Sequence, residues 1–261
     1  MKISIIIPTL NEEKYLPKLL KSIKSQTYVD YEVIVADAGS KDKTKEITLQ
    51  YGHKIIQGGR PAAGRNAGAK MAQGEYLLFL DSDIILPKNF LEKAIKQFDK
   101  KYFEIATVLQ KPISKIELDV LIYKIHNSFL KYTSDIYPLT AGVCILITKR
   151  LHFRLNGFNE RMNISEDNDY GKRAKKIAHY GAITDTYVKT SIRRFEKEGR
   201  IKLAQKYIKH NFFEQLRKIG VNKQIEYEFG DFKNTKSLSK LELQLEKILQ
   251  FINKIFKVKN N

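Results

Sequence analysis

One cysteine in 261 residues, Cys144, excludes an intrachain disulfide and any cysteine-based metal cluster. It stands in Val143-Cys144-Ile145-Leu146-Ile147 and reads as a buried structural thiol. No apolar run approaches the roughly 20 residues that cross a bilayer. Met1-Lys2-Ile3 leads straight into a strand pattern without a signal-peptide layout, so the expectation is a soluble cytoplasmic protein. Internal repeats and long low-complexity segments are missing as well. Without a zinc-ligand set or an RNA-binding signature, nucleic acid is not an expected partner.

Acid is the scarcer charge. Forty-seven Lys and Arg face 29 Asp and Glu, a net of +18. Such an excess asks for an anionic partner: a membrane surface, a lipid-linked acceptor or a nucleoside diphosphate. It can also be the solvated face of Lys-rich helices. Residues 189–261 carry 18 Lys and Arg against 8 Asp and Glu, a net of +10. Within them, Leu238, Leu241, Leu245, Ile248, Ile252 and Ile255 recur in steps of three and four. That seam suits packing on the chain's own helices or a homodimer through the C-terminal helix. With Lys247, Lys254, Lys257 and Lys259 it also suits a helix lying on an anionic membrane surface.

The first hundred residues alternate strand and helix patterns. Strands are expected at 2–7, 31–36, 54–57 and 75–80. Helices are expected at 12–26 (capped by Asn11), from Ser40 or Asp42 to 51, at 61–72 and from Pro87 to 98. This alternation argues a mostly parallel central sheet flanked by helices. Further on, an edge strand at 104–111, a helix at 116–132, a strand at 141–148, a helix at 167–178 and a strand at 182–188 are expected. Leu118, Leu121, Ile122, Ile125, Phe129 and Leu130 form one apolar side of the 116–132 helix. Beyond residue 200 the pattern is helical.

Tyr76-Leu77-Leu78-Phe79-Leu80 is the most apolar stretch, and it ends in Asp81-Ser82-Asp83. A buried strand therefore delivers two carboxylates, one residue apart, to the carboxyl edge of a sheet, where α/β folds bind ligands. Clustered carboxylates repel unless something positive lies between them, and a hard divalent cation holding a diphosphate supplies it. An acidic turn after a strand can look the same. Other motifs accompany it: Pro8-Thr9-Leu10-Asn11-Glu12-Glu13, Asp37-Ala38-Gly39-Ser40-Lys41-Asp42, Gly64-Arg65-Asn66-Ala67-Gly68, Gly157-Phe158-Asn159-Glu160 and Glu166-Asp167-Asn168-Asp169.

In this order and spacing the motifs over residues 1–195 resemble the family 2 glycosyltransferases of the GT-A fold. The resemblance implies a Rossmann-like α/β catalytic domain at 1–198, with a nucleotide-binding half (1–110) and an acceptor half (111–198). A basic helical extension would fill 199–261. It implies an inverting transfer of sugar from a nucleotide-diphosphate donor to a hydroxyl or phosphate acceptor, which a glycan or a lipid-linked group could provide. Asp83 would ligate Mg2+ or Mn2+, and Asp81 would hold the ribose or a metal-bound water. Asp167 would be the general base, with Glu166 as its alternate. Pro8, Thr9, Glu12, Asp37, Arg65 and Ser82 would line the donor, and Arg193 and Arg194 would clamp its diphosphate from a mobile loop after the last strand. Ile85 stands where some polyprenol-phosphate transferases carry Gln, a departure from that branch.

Each of these residues has a plainer role. Asp37 can be a turn carboxylate, and Glu166 and Asp167 can decorate a helix start. Arg193 and Arg194 can be surface charges. A sugar-nucleotide pyrophosphorylase would need a glycine-rich basic loop after the first strand, and residues 8–13 are acidic and lack glycine. A non-catalytic basic scaffold or membrane-surface protein on the same fold is the remaining alternative.

Overall fold

The computed structural model describes residues 2–134, 138, 140–200, 239, 242, 243 and 246. They fall into two units, the first taking in 1–111 and 125–190 and the second 112–124 and 191–261. The seam of apolar residues from Leu238 to Ile255 lies outside the described residues, as does most of the expected basic extension.

The first unit is built on an eight-stranded sheet. In chain order its strands are β1 (Ile3–Thr9), β2 (Tyr31–Asp37), β3 (Lys54–Gln57), β4 (Tyr76–Leu80), β5 (Ile84–Ile85), β6 (Ile105–Pro112), β7 (Cys144–Thr148) and β8 (Tyr180–Thr190). Their spatial order is β3-β2-β1-β4-β7-β6-β8-β5. Pairing is parallel from β3 through β4, and β7 runs antiparallel to both β4 and β6. The parallel expectation thus holds for the first four strands, and the sheet as a whole is mixed. β6, expected at an edge, lies inside between β7 and β8.

The helices are α1 (Leu16–Lys24), α2 (Thr44–Gln50), α3 (Pro61–Met71), α4 (Phe90–Lys100), α5 (Glu117–Thr133), α6 (Lys149–Arg154), α7 (Glu166–Lys175) and α8 (Arg193–Glu198). α1 and α4 cover one face and α3, α6 and α7 the other, so β1 and β4 can be apolar throughout. Ile3, Ile5 and Ile7 join Leu16, Leu20 and Phe90 on one face, while Ile6 meets Ala62, Ala69 and Tyr170 on the other. α3 comes close because its inner face is small. A Cβ on Gly68 would collide with fully buried Ile6. Gly68→Val is expected to cost about 1–3 kcal/mol in urea unfolding, since the core must be overpacked to admit it.

Three expectations are corrected. Asn11 does not cap α1: it takes a left-handed φ of 55°, and its Oδ1 accepts from Lys41 N at 2.9 Å. α1 starts later, with Pro in its first turn, because the acidic loop is used to tie β1 to β2. Glu12 N donates to Thr44 Oγ1 at 2.8 Å, and Lys43 N to Glu13 Oε2 at 3.0 Å. Second, the expected apolar side of α5 divides: Leu118 and Leu130 are buried, whereas Leu121 and Ile125 are exposed. Third, Arg193 and Arg194 begin a short helix rather than lying in a loop.

The second unit has a buried ionic knot. Asp119, in the first turn of α5, accepts from Arg200 Nε at 2.6 Å and Nη2 at 3.0 Å, and from Ser114 Oγ at 2.6 Å. The Glu246 carboxylate accepts from Glu117 N and Leu118 N, each at 2.8 Å, and satisfies two orphan donors of that helix start. Ser239 N donates to Glu242 Oε2 at 2.8 Å and Glu242 N to Ser239 Oγ at 3.4 Å, a capping box.

Candidate active site

Strand direction assembles the site. β1, β2 and β4 end at the same edge, with Thr9 level with Asp37. β7 runs the other way, and Leu80 pairs with Cys144. Asp81 N then donates to Val143 O at 3.1 Å, which brings the Ala141-Gly142 turn against Asp81. Cys144 is buried, and burial pushes its thiol well above the usual range, as a structural cysteine requires.

Pro8 and Thr9 are buried at the end of β1. Asp37, 2% exposed, is committed to its own turn. Its Oδ2 accepts from Gly39 N at 3.0 Å and Ser40 N at 2.9 Å, and its Oδ1 accepts from Thr9 Oγ1 at 3.2 Å and from the Ser40 hydroxyl. Lys45 Nζ lies 3.7 Å from Oδ2. The geometry is that of a turn carboxylate which braces the β1 and β2 ends. Glu12 is buried.

Arg65 is the centre of the cluster. α3 carries it, 3% exposed, between carboxylates from distant parts of the chain. Nη2 donates to Asp81 Oδ1 at 3.0 Å and Gly142 O at 3.3 Å, and Nη1 donates to Glu166 Oε1 at 2.8 Å. Burial alone would weaken its charge, but Asp81, Glu166 and Asp167 outweigh that and hold the guanidinium protonated. Its carbon lies 5.3 Å from the Phe158 ring centre.

Asp167 sits at the start of α7. Its Oδ2 accepts from Gly142 N at 2.7 Å and its Oδ1 from Asn168 N at 2.8 Å. The residue is half-buried, yet enough protein surrounds the carboxyl for desolvation to lead. Desolvation, then Glu166, push its pKa up to about 7, against Arg65 and the two backbone donors. A carboxylate that titrates near neutrality can accept a proton and return it.

Asn66, next to Arg65, is a site residue the sequence reading did not single out. It donates to Phe158 O at 2.9 Å and Glu160 Oε1 at 2.8 Å, and accepts from Phe158 N at 2.8 Å. It thereby fastens the 157–160 loop to α3. A second tie joins Arg60 to Asn163. Arg173 pairs with Asp169 at 2.7 Å and donates to Leu155 O and Gly157 O, so Asp169 orients Arg173. The signal was the Arg65-Asn66 adjacency between glycines, whose partners lie some ninety residues away.

Asp81, Ser82 and Asp83 make the turn between β4 and β5, with Ser82 buried and both acids partly open. Among the described residues no group of three or more His, Cys, Asp or Glu side chains could enclose an ion. Mg2+ and Mn2+ sites in phosphate chemistry use one or two carboxylates, with substrate oxygens completing the shell. Two partly exposed carboxylates at a turn, Asp81 already paired with Arg65, suit a cation of that kind rather than a closed structural site. Arg193 and Arg194 belong to the second unit, where they begin α8.

Carboxylates and an arginine gather at the carboxyl edge of the sheet, the edge where α/β domains bind ligands. Comparison with known proteins gives the family. The model of glycosyl transferase family 2 matches residues 4–147, more than half the chain, and the chain belongs to that family. It is 34% identical over 124 residues to the poly(ribitol-phosphate) β-N-acetylglucosaminyltransferase TarS of Staphylococcus aureus, covering 44% of this chain and 22% of TarS. An uncharacterized glycosyltransferase of Rickettsia typhi is 30% identical over 189 residues, covering 64% of this chain and 56% of that protein. The chain thus spans between about a fifth and just over half of these relatives. Among solved structures, TarS 1–349 with UDP-GlcNAc superposes with a TM-score of 0.61 at 24% identity, covering 73% of this chain and 58% of that one. The Pyrobaculum calidifontis mannosyltransferase PcManGT with GDP-Man and Mn2+ gives 0.65 at 20%, covering 83% and 64%. The fold is therefore the mixed α/β fold of GT-A glycosyltransferases. No described helix is long and apolar enough to cross a membrane.

Proposed function

We propose that this chain is a glycosyltransferase that moves a sugar from a nucleoside-diphosphate donor to a hydroxyl or phosphate acceptor, with inversion. The convergence of Asp81, Glu166 and the Gly142 carbonyl on Arg65, with Asp167 on the Gly142 N–H, carries this reading. The acceptor oxygen attacks the anomeric carbon, the carbon–oxygen bond to the diphosphate breaks, and the electron pair leaves with the diphosphate. The acceptor's proton passes to the Asp167 carboxylate. Asp83 and Asp81 would hold Mg2+ or Mn2+, which neutralises charge on the leaving diphosphate when bound. The UDP-GlcNAc and GDP-Man complexes of structural relatives support a nucleotide-sugar donor. Pro8, Thr9, Glu12 and Ser82 share the sheet edge where that donor would lie.

A thermal-shift panel of nucleoside diphosphates and their sugars, with and without Mn2+, tests the donor class. At least one nucleotide should raise Tm only when the cation is present. Asp83→Ala should abolish that cation-dependent rise and donor turnover together. A variant with undiminished metal-dependent turnover would overturn the assignment.

A further inference from the structure

Asp81 and Glu166 belong to different strand and helix ends, and the Arg65 guanidinium joins them through its Nη2 and Nη1 atoms. The Gly142 peptide adds a second link. Its carbonyl accepts from Arg65 Nη2, and its N–H donates to Asp167 Oδ2. The approach is close: a Cβ on Gly142 would stand 2.9 Å from Asp167 Oδ2 and 3.0 Å from Arg65 Nη2. Arg65 is therefore in electrostatic reach of the base carboxyl and one peptide away from it by hydrogen bonds. Both of its Nη atoms are spent within the chain, and Nε is buried without a hydrogen-bond partner.

We propose that Arg65 is a positioning residue for the Asp167 base, its guanidinium fixing the Glu166 carboxylate and the Gly142 peptide and balancing the charge around Asp167. The proposal rests on Asp167 being the base. The charged and titratable groups that face Asp167 are Glu166 beside it on α7, Arg65 from α3 and Tyr180 from β8. Asp81 lies across Arg65 at the end of β4. Tyr180 is buried and its phenol is raised well past neutrality by desolvation, so it stays uncharged. Arg65 and Glu166 then pull Asp167 in opposite directions: the cation favours the carboxylate, the anion favours the acid.

The experiment is the pH profile of kcat/KM for donor turnover, with UDP and GDP binding followed by calorimetry in the presence of Mn2+. Wild type should show an acid limb near neutrality. Arg65→Gln should move that limb to higher pH by about one unit, a roughly tenfold larger loss at the acid end than at the alkaline end. Arg65→Lys, which keeps the charge without the fork, should move it less. Glu166→Gln should move the limb to lower pH, and this half-buried position keeps the test open if Arg65→Gln does not fold. Nucleotide affinity should stay within about threefold in all of them. Limbs that stay in place while activity falls equally at every pH would overturn the proposal. So would a lost nucleotide affinity with an unmoved limb, which would make Arg65 a donor ligand. Failure of the base reading looks different: Asp167→Asn would keep both turnover and the limb.

Discussion

Asp167→Asn is expected to lower turnover by about 10²–10⁴-fold while nucleotide affinity holds, because an amide fills the same space but accepts no proton. The same substitution has a stability signature of its own. Burial and Glu166 raise the Asp167 pKa from 3.8 to about 7. Between those values the folded chain holds a proton that the unfolded chain has released, so stability falls as pH rises through this window. Above about pH 7 the penalty is fully present, and below about pH 4 it is absent. At most it amounts to a few kcal/mol, and the part of Asp167 open to water reduces it. Asparagine removes the titration, but it also surrenders one of the two acceptors now used by Gly142 N and Asn168 N, about 1–3 kcal/mol at any pH. The difference in Tm between variant and wild type should therefore climb from pH 4 to pH 8, whatever its sign at the start. A flat difference, or retained turnover at pH 8, would remove Asp167 from the role of base.

Local pattern made the parallel half of the fold legible. β1 and β4 are unbroken apolar runs, α1 and α4 bury a stripe spaced three and four apart, and short turn segments join them. Legibility fell where tertiary pairing decides. The place of β6 between β7 and β8 depends on partners from far along the chain, so its apolar run read as an edge. β5, two residues long, carries no periodicity. On α5, spacing put Leu121 and Ile125 on one apolar side with Leu118 and Leu130, yet those two are exposed; periodicity names an apolar stripe without saying what covers it.

The site shows the same division. Asp81 was singled out by its place after a buried strand, and Glu166 and Asp167 by the family resemblance, since acids at a helix start are otherwise ordinary. What they do with one another was not, because it runs through Arg65 and Gly142. An arginine between glycines reads as a phosphate ligand, and only the fold reveals that its two Nη atoms meet Asp81, Glu166 and a backbone carbonyl. Asp37 shows the reverse case. Its motif points to a ligand, whereas its oxygens are taken up by Thr9, Gly39 and Ser40.

Arg200→Met is expected to destabilise the second unit by about 3–5 kcal/mol, because it leaves Asp119 charged, fully buried and without its bidentate partner. Ser114 Oγ would remain, and the helix start favours an anion by about 1 kcal/mol. That offset is already shared, since Glu246 brings a second buried carboxylate to the same turn. Two anions at one helix start need the cation. Asp119→Leu should cost a similar amount by stranding Arg200, whereas the double variant Asp119→Leu/Arg200→Met should recover most of the loss, as apolar replacements of buried pairs do. Hydrogen exchange locates the effect. Amides of residues 117–124 should exchange faster in either single variant and return toward wild type in the double, with the β1 and β4 amides unchanged. Additive losses in the double variant would mean that the two side chains stabilise the unit independently, and the ion pair would lose its place as the anchor of α5 and of the Arg200 end of the chain segment that carries α8.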